Sequence, residues 1–233
     1  MKHPISALII PLLLSVGTAW SGAINDAWKA FDRSNYTEAA KQFQLAAEQG
    51  NQYAQYVLGS MYANGQGVKK DYVEAVKWTR MAAEQGVVSA QVSLGWAYYS
   101  GVGVAQDYAV AAKWYRLAAT QGNVDAQYNL GLIYAVGQGV AQDHVEAVKW
   151  HKQAAAQGYR MAQLRLGLAY ASGLGVAKDN LRSHMWFNLA SVDGDQSAMK
   201  LRDVAAAQLT PQQITQAQSM ARECQSTAYK GCN

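Results

Sequence analysis

An all-α fold, a right-handed α-solenoid of antiparallel helix pairs, is predicted by three observations. A Gly-x-Gly-Val run opening at Gly65 returns at Gly101, Gly137 and Gly173, each time 36 residues later. Trp78, Trp114, Trp150 and Trp186 keep the same step, as do Asp71, Asp107, Asp143 and Asp179, and Tyr62, Tyr98, Tyr134 and Tyr170. Within a copy the apolar positions run Ala54, Leu58, Tyr62, the i, i+4, i+8 stripe of a helix and not the alternation of a strand. A fixed period of this size marks a stacked array of one supersecondary unit. Repeated residues build such a stack, so function is expected where the copies differ.

The elements follow in order. Lys2 and His3 precede an apolar stretch from Ile5 to Val16, and small residues gather at Ala19, Ser21 and Ala23. That order is the one a secretory signal uses, and the apolar run is too short for a membrane-spanning helix. Residues 1–23 are read as a signal peptide cleaved after Ser21 or after Ala23, leaving an exported chain, periplasmic or secreted, without a transmembrane segment. Residues 24–50 are read as a degenerate helix pair that keeps the helix B half of the repeat: Tyr36, Ala39, Ala46, Ala47 and Gly50 stand in register with Tyr72, Ala75, Ala82, Ala83 and Gly86.

In residues 51–86 a first helix, A, is expected over about 52–63, ended by the glycines of Asn64-Gly65-Gln66-Gly67, with Val68 tucked under the turn. Asp71 is placed to cap helix B, and Glu74 three residues on makes a capping-box-like pair, repeated at Asp143 and Glu146. Helix B runs about 72–85, its Trp78 flanked by small Ala75, Ala82 and Ala83. Gly59, Gly95, Gly131 and Gly167 fall mid-helix, where glycine is disfavoured, so a contact that admits no Cβ is expected there. After residue 194, Ala198 continues the helix A register, and Thr210-Pro211-Gln212-Gln213 opens a last helix to about Glu223.

These residues carry a resemblance. The pattern Ala-x3-Leu-Gly-x2-Tyr, Gly-x-Gly-Val-x2-Asp, Ala-x2-Trp-x3-Ala-Ala-x2-Gly resembles the Sel1-like repeat, a relative of the tetratricopeptide repeat. It covers residues 51–194 as four copies, 51–86, 87–122, 123–158 and 159–194, the last departing at Ser191 where the others carry the second alanine. Residues 24–50 and 195–233 are then terminal caps, which a one-dimensional stack requires. The resemblance implies protein–protein interaction, often in bacterial envelope assembly, signalling or host contact. Some cysteine-rich Sel1-like proteins are associated with β-lactam binding or hydrolysis, but they carry a cysteine pair in each repeat, and this chain has none in any repeat.

Half the residues are hydrophobic and 15% charged, enough for a packed core. The formal charge of +4 is scattered, with no basic stripe of the kind nucleic acid requires. Cys224 and Cys232, an even count in an exported chain, are expected to pair; seven residues between them exclude a CxxC redox motif. The Gly-x-Gly pairs lie between helices, so they are turns and not a dinucleotide loop. His144 and His151, seven apart on one helix, span about 10 Å and cannot share a metal; they are read as variable surface. No catalytic set, metal site or cofactor site is expected, and the chain is read as a scaffold rather than an enzyme. The competing reading is an enzyme or ligand binder acting on muropeptides or β-lactams.

The partner surface is placed on helix A, opposite its core stripe. That row reads Tyr53, Tyr56 and Ser60; Ser89, Val92 and Trp96; Asp125, Tyr128 and Leu132; Met161, Leu164 and Leu168, less polar than a solvated face should be. Tetratricopeptide-like arrays turn helix A toward a concave side, so Tyr53, Tyr56, Val92, Trp96, Tyr128, Leu132, Leu164 and Leu168 are expected to anchor a peptide or protein, with Asp125 and Arg165 setting specificity at the rim. The opposing expectation is that part of the row, above all the positions equivalent to Tyr56, packs on the neighbouring helix.

Overall fold

The computed structural model describes residues 22–192 and 194–232. The leader read over residues 1–23 lies outside them except at Gly22 and Ala23, which stand in the first helix, α1, over residues 22–32. The described residues are all-helical, and the chain divides into two compact units between Asp107 and Tyr108.

The first unit holds α1, α2 (Tyr36–Glu48), α3 (Gln52–Asn64), α4 (Tyr72–Glu84) and α5 (Val88–Ser100). Its core joins Ala27 of α1 to Ala39, Phe43, Ala46 and Ala47 of α2, Leu58 and Met61 of α3, and Trp78 of α4, with Val68 of the glycine loop packed against it. Trp28 meets Phe31 and Phe43 edge-on, centroids 5.7 and 5.1 Å apart. Asn35 caps α2 after Ser34, a left-handed residue at φ 58° that makes this joint tighter than the glycine loops.

The second unit holds α6 (Tyr108–Thr120), α7 (Val124–Val136), α8 (His144–Ala155), α9 (Arg160–Ser172), α10 (Asn180–Ala190), α11 (Gln196–Ala206) and α12 (Pro211–Ser226). Its core packs Val148 and Ala154 of α8, Leu166 and Tyr170 of α9, Met185, Trp186 and Leu189 of α10, and Ala217, Ala221 and Cys224 of α12. The last helix starts on a complete capping box between Thr210 and Gln213 and runs three residues past the expected Glu223. Cys224 and Cys232 are joined, with 5.2 Å between their Cα atoms.

The invariant spacing of Tyr62 and Asp71 has a direct cause. Helix A stops at Gly65, whose left-handed geometry (φ 72°) lets its N–H reach back to Met61 O. Asp71 then donates its N–H to Tyr62 O at 3.0 Å, and its carboxylate accepts from Val73 N and Glu74 N at the start of helix B. Asp107 to Tyr98, Asp143 to Tyr134 and Asp179 to Tyr170 repeat the first bond at 2.9 Å. One residue thus closes the loop and caps the helix. The expected reciprocal half of the box does not form: the Glu74 carboxylate turns to Lys77 Nζ at 3.1 Å, and Glu146 to Lys149 at 3.3 Å.

A second repeated device escaped the sequence reading. Gln55, Gln91, Gln127 and Gln163 are all buried, four polar side chains one step apart. Gln55 Nε2 donates to Ala47 O at 3.1 Å, Gln91 Nε2 to Ala83 O at 3.2 Å, and Gln127 Nε2 to Ala119 O at 3.2 Å. Each amide gives a second donor to a carbonyl at the end of the preceding helix B, which already accepts the N–H of Gly50, Gly86 or Gly122 at 3.0 Å. Gln85 and Gln157 in turn donate to Gln55 Oε1 at 2.7 Å and Gln127 Oε1 at 2.8 Å.

Gly59, Gly131 and Gly167 meet the close contacts expected of the mid-helix glycines. A Cβ on Gly59 would lie 2.5 Å from Thr79 Oγ1, on Gly131 2.4 Å from His151 Nε2, and on Gly167 2.5 Å from the Phe187 ring. The side chain that fills the gap changes from copy to copy while the glycine stays.

Candidate functional site

The helix A row is not sealed. At its first position Tyr53 is 64% exposed, and Ser89, Asp125 and Met161 are also exposed. At the third, Ser60 is exposed and Trp96 is 52% exposed, whereas Leu132 and Leu168 are half-buried. At the second, Tyr56, Val92, Tyr128 and Leu164 are all half-buried, so these are the positions that also support neighbouring helices. Arg165 is exposed.

In the first unit, Tyr53 and Tyr56 come together with Ile24 and Trp28 of α1, Phe43 of α2 and Val57 around an apolar pocket of about 300 Å³. No charged residue lines it. Trp28, 43% exposed, stands at its side. Neither Ile24 nor Trp28 could be assigned from the repeat, because α1 lies outside the glycine-loop register. Val92 and Trp96 sit on α5, away from this pocket's lining.

In the second unit, Tyr128 packs on the core, its ring 5.2 Å from Tyr159 and 5.8 Å from His151. Partial burial, helped by the neighbouring Asp125 carboxylate, pushes the Tyr159 phenol above its ordinary range. Tyr159 is the N-cap residue of α9, a position without a side-chain cap bond, and was not among the expected site residues.

His151 overturns its surface assignment. It is 4% exposed, filling the space over Gly131, and its Nε2 finds no hydrogen-bond partner among the described residues. Burial, with the Arg165 charge adding to it, lowers its pKa to about 4, against an opposing backbone hydrogen bond at Tyr128. The pattern that reads Thr79, Tyr115, His151 and Phe187 through the copies is therefore variation in what plugs a gap, not variation of a wet surface.

The sign of the resulting pH dependence is fixed. The folded-state pKa lies below the unfolded value near 6.5, so the neutral ring's stabilising share is full above pH 6.5 and is lost as pH falls through about 4. By pH 4 the loss is about 3 kcal/mol at 1.36 kcal/mol per pKa unit. His151→Phe, which copies the Phe187–Gly167 pair onto Gly131, is expected to lose less stability than the parent between pH 7 and pH 4 by about that amount. Urea melts at the two pH values check it; equal acid losses in the two proteins would place the imidazole in solvent.

Among the described residues no group of His, Cys, Asp and Glu is arranged to hold a metal ion, and no helix is long and apolar enough to cross a membrane.

The Sel1 repeat model matches residues 32–51, 52–87, 88–123, 124–159 and 160–195, so the N-terminal half-copy counts as a fifth unit. Among solved structures, a Sel1 repeat protein from Oxalobacter formigenes is 32% identical over 77% of this chain and 74% of its own, with a TM-score of 0.71. The protein c5321, a protective antigen present in uropathogenic Escherichia coli strains displaying an SLR fold, is 28% identical over 92% of this chain, with a TM-score of 0.58; the match spans 56% of that longer chain. No match is found among curated proteins.

Proposed function

The chain belongs to the Sel1 repeat family, and on that premise we propose that it is a non-catalytic scaffold of the bacterial envelope that holds a peptide or protein partner along helix A. Sel1 repeats form a generally non-catalytic fold, and proteins built from them generally mediate protein–protein interaction. The observation that carries the finer reading is the exposure of Tyr53 and Trp96, aromatic side chains on faces that a solvated helix would make polar. Aromatics of this kind dominate binding energy where they become desolvated by a partner. The apolar pocket beside Tyr53 and Tyr56 would take an aliphatic or aromatic anchor, while Asp125 and Arg165 supply charges of both signs in the second unit. Export, periplasmic or beyond, belongs to the same proposal and is supported by the leader-like order of residues 1–23.

The test uses Tyr53→Ala combined with Trp96→Ala. Both side chains are largely in water, so helicity and melting should stay close to the parent. Capture of partners from an envelope extract should fall at least tenfold. Unchanged capture would remove these residues from the binding surface. Tyr128 is a poorer probe, because its packing on Tyr159 and His151 ties any loss of binding to a loss of stability.

A further inference from the structure

The five joints that follow helix B carry Gly50, Gly86, Gly122, Gly158 and Gly194, all left-handed, with φ between 82° and 93°. The space above Gly50, Gly86, Gly122 and Gly194 is open, with no atom within 4 Å of where a Cβ would sit. Gly158 alone is covered. The Tyr229 ring of the C-terminal tail lies over it, its Cε2 3.1 Å from that point, and Tyr229 and Cys232 pack on the core of the second unit.

The tail that brings Tyr229 there is held in a shape its own residues do not favour. Past the end of α12 the chain makes a Schellman-type return, Tyr229 N–H to Cys224 O at 2.8 Å. Such a return places its C′ residue in the left-handed region, usually a glycine. Here Ala228 has φ 51° and Tyr229 φ 64°, two successive side-chain-bearing residues in that region. The Cys224–Cys232 bond ties the far end of the turn back to α12, alongside the Thr227 hydroxyl, which lies 3.0 Å from Cys224 O and 2.9 Å from Lys230 O. Cys224 is 4% exposed but Cys232 is only half-buried, and beside the bond opens a pocket of about 240 Å³ whose lining includes Met185 and Met220.

We propose that the Cys224–Cys232 disulfide is a reversible latch, which a dithiol reductant opens to lift Tyr229 from Gly158 and expose Met185 and Met220. A thiolate of the dithiol attacks the more accessible Cys232 sulfur. Cys224 leaves as a thiolate and takes up a proton. The second thiol of the reductant then displaces Cys232 as a thiol, so the chain gains two electrons and two protons while the dithiol becomes a disulfide. Freed of the ring, Ala228 and Tyr229 relax out of the left-handed region, and the return after α12 frays. The repeat loops keep their closures, which run through Asp71, Asp107, Asp143 and Asp179 and not through the tail. The latch stands whether or not helix A binds a partner.

The experiment follows amide exchange at residues 227–230 and peroxide oxidation of Met220 in the folded chain, before and after dithiothreitol without denaturant. Reduction should speed both at least tenfold, leave exchange in α8 and α9 within twofold, and be undone on reoxidation. The double variant Cys224→Ser with Cys232→Ser should match the reduced chain with no reductant present. Three results each overturn the proposal: a bond that yields only in denaturant, tail exchange within threefold of the oxidised chain, or loss of protection throughout α10–α12. The second would make the bond a passive staple, and the third a structural lock.

Discussion

Gly67→Ala is expected to lower stability by about 3–5 kcal/mol, and Gly86→Ala by about 1–2 kcal/mol, although both glycines are left-handed. The two substitutions share one cost. Gly67 has φ 70° and Gly86 φ 93°, and an alanine in either conformation sets its Cβ against the following carbonyl. They differ in what lies outside. Above Gly86 is open space, but a Cβ on Gly67 would fall 2.0 Å from Tyr36 O and 2.7 Å from Thr37 N, at the first turn of α2. Neither atom can swing aside as a side-chain end could, so α2 and the glycine loop must part. The same approach recurs at Gly103 over Tyr72 O, 2.2 Å, and at Gly175 over His144 O, 2.1 Å. Urea titration of the two single variants checks the claim. If they were equally stable, the second glycine of the run would be kept for its dihedral angles alone, and the loop would not bear on the helix before it.

Trp186→Ala should cost about 3–5 kcal/mol, the usual range for truncating a buried indole. Trp186 is 2% exposed in the core of the second unit, beside Met185 and Leu189. Its Nε1 has no hydrogen-bond partner among the described residues, so the loss comes from packing and the cavity, not from a broken bond. Trp96→Ala is the internal control, at 52% exposure expected to shift stability by about 0.5 kcal/mol or less. Chemical denaturation of both variants tests the division between indoles that make the stack and indoles that face outward. Comparable losses for the two would mean that Trp96 is structural, and the partner surface would lose its most prominent residue.

Much of this division was legible because the repeat separates two kinds of position. Residues that recur at every step, Tyr62, Asp71 and Trp78 among them, marked helix ends and core, and the structure puts α3 and α4 within a residue of the expected bounds. Trp114 is a partial exception: it stays half-buried while the adjacent Tyr115 goes to 2% exposure. The buried glutamines were missed for the opposite reason. Gln55, Gln91, Gln127 and Gln163 recur as faithfully as the tryptophans, but a polar side chain reads as surface unless one asks which helix-end carbonyls can take a further donor. His151 was misread because its position varies. The fixed Gly131 opposite it was the signal that something must fill the gap, and varying plugs against a constant glycine are a core signature. The pocket at Tyr53 depends on Ile24 and Trp28, whose helix does not share the register of the copies, so no internal comparison could place them.

The glutamine amides have a consequence for how the chain can grow. Gln55, Gln91 and Gln127 each reach eight residues back, and Gln85 and Gln157 reach 30 back to Gln55 and Gln127, all less than one 36-residue step. Excising or inserting one whole copy among the first three would keep these spacings, whereas a cut of 35 or 37 would leave an amide and a carbonyl mismatched at the seam. The fourth copy stands outside the rule, since Gln163 Nε2 has no hydrogen-bond partner among the described residues. Length is thereby quantised within the clasped copies, which can be extended or shortened in single whole steps.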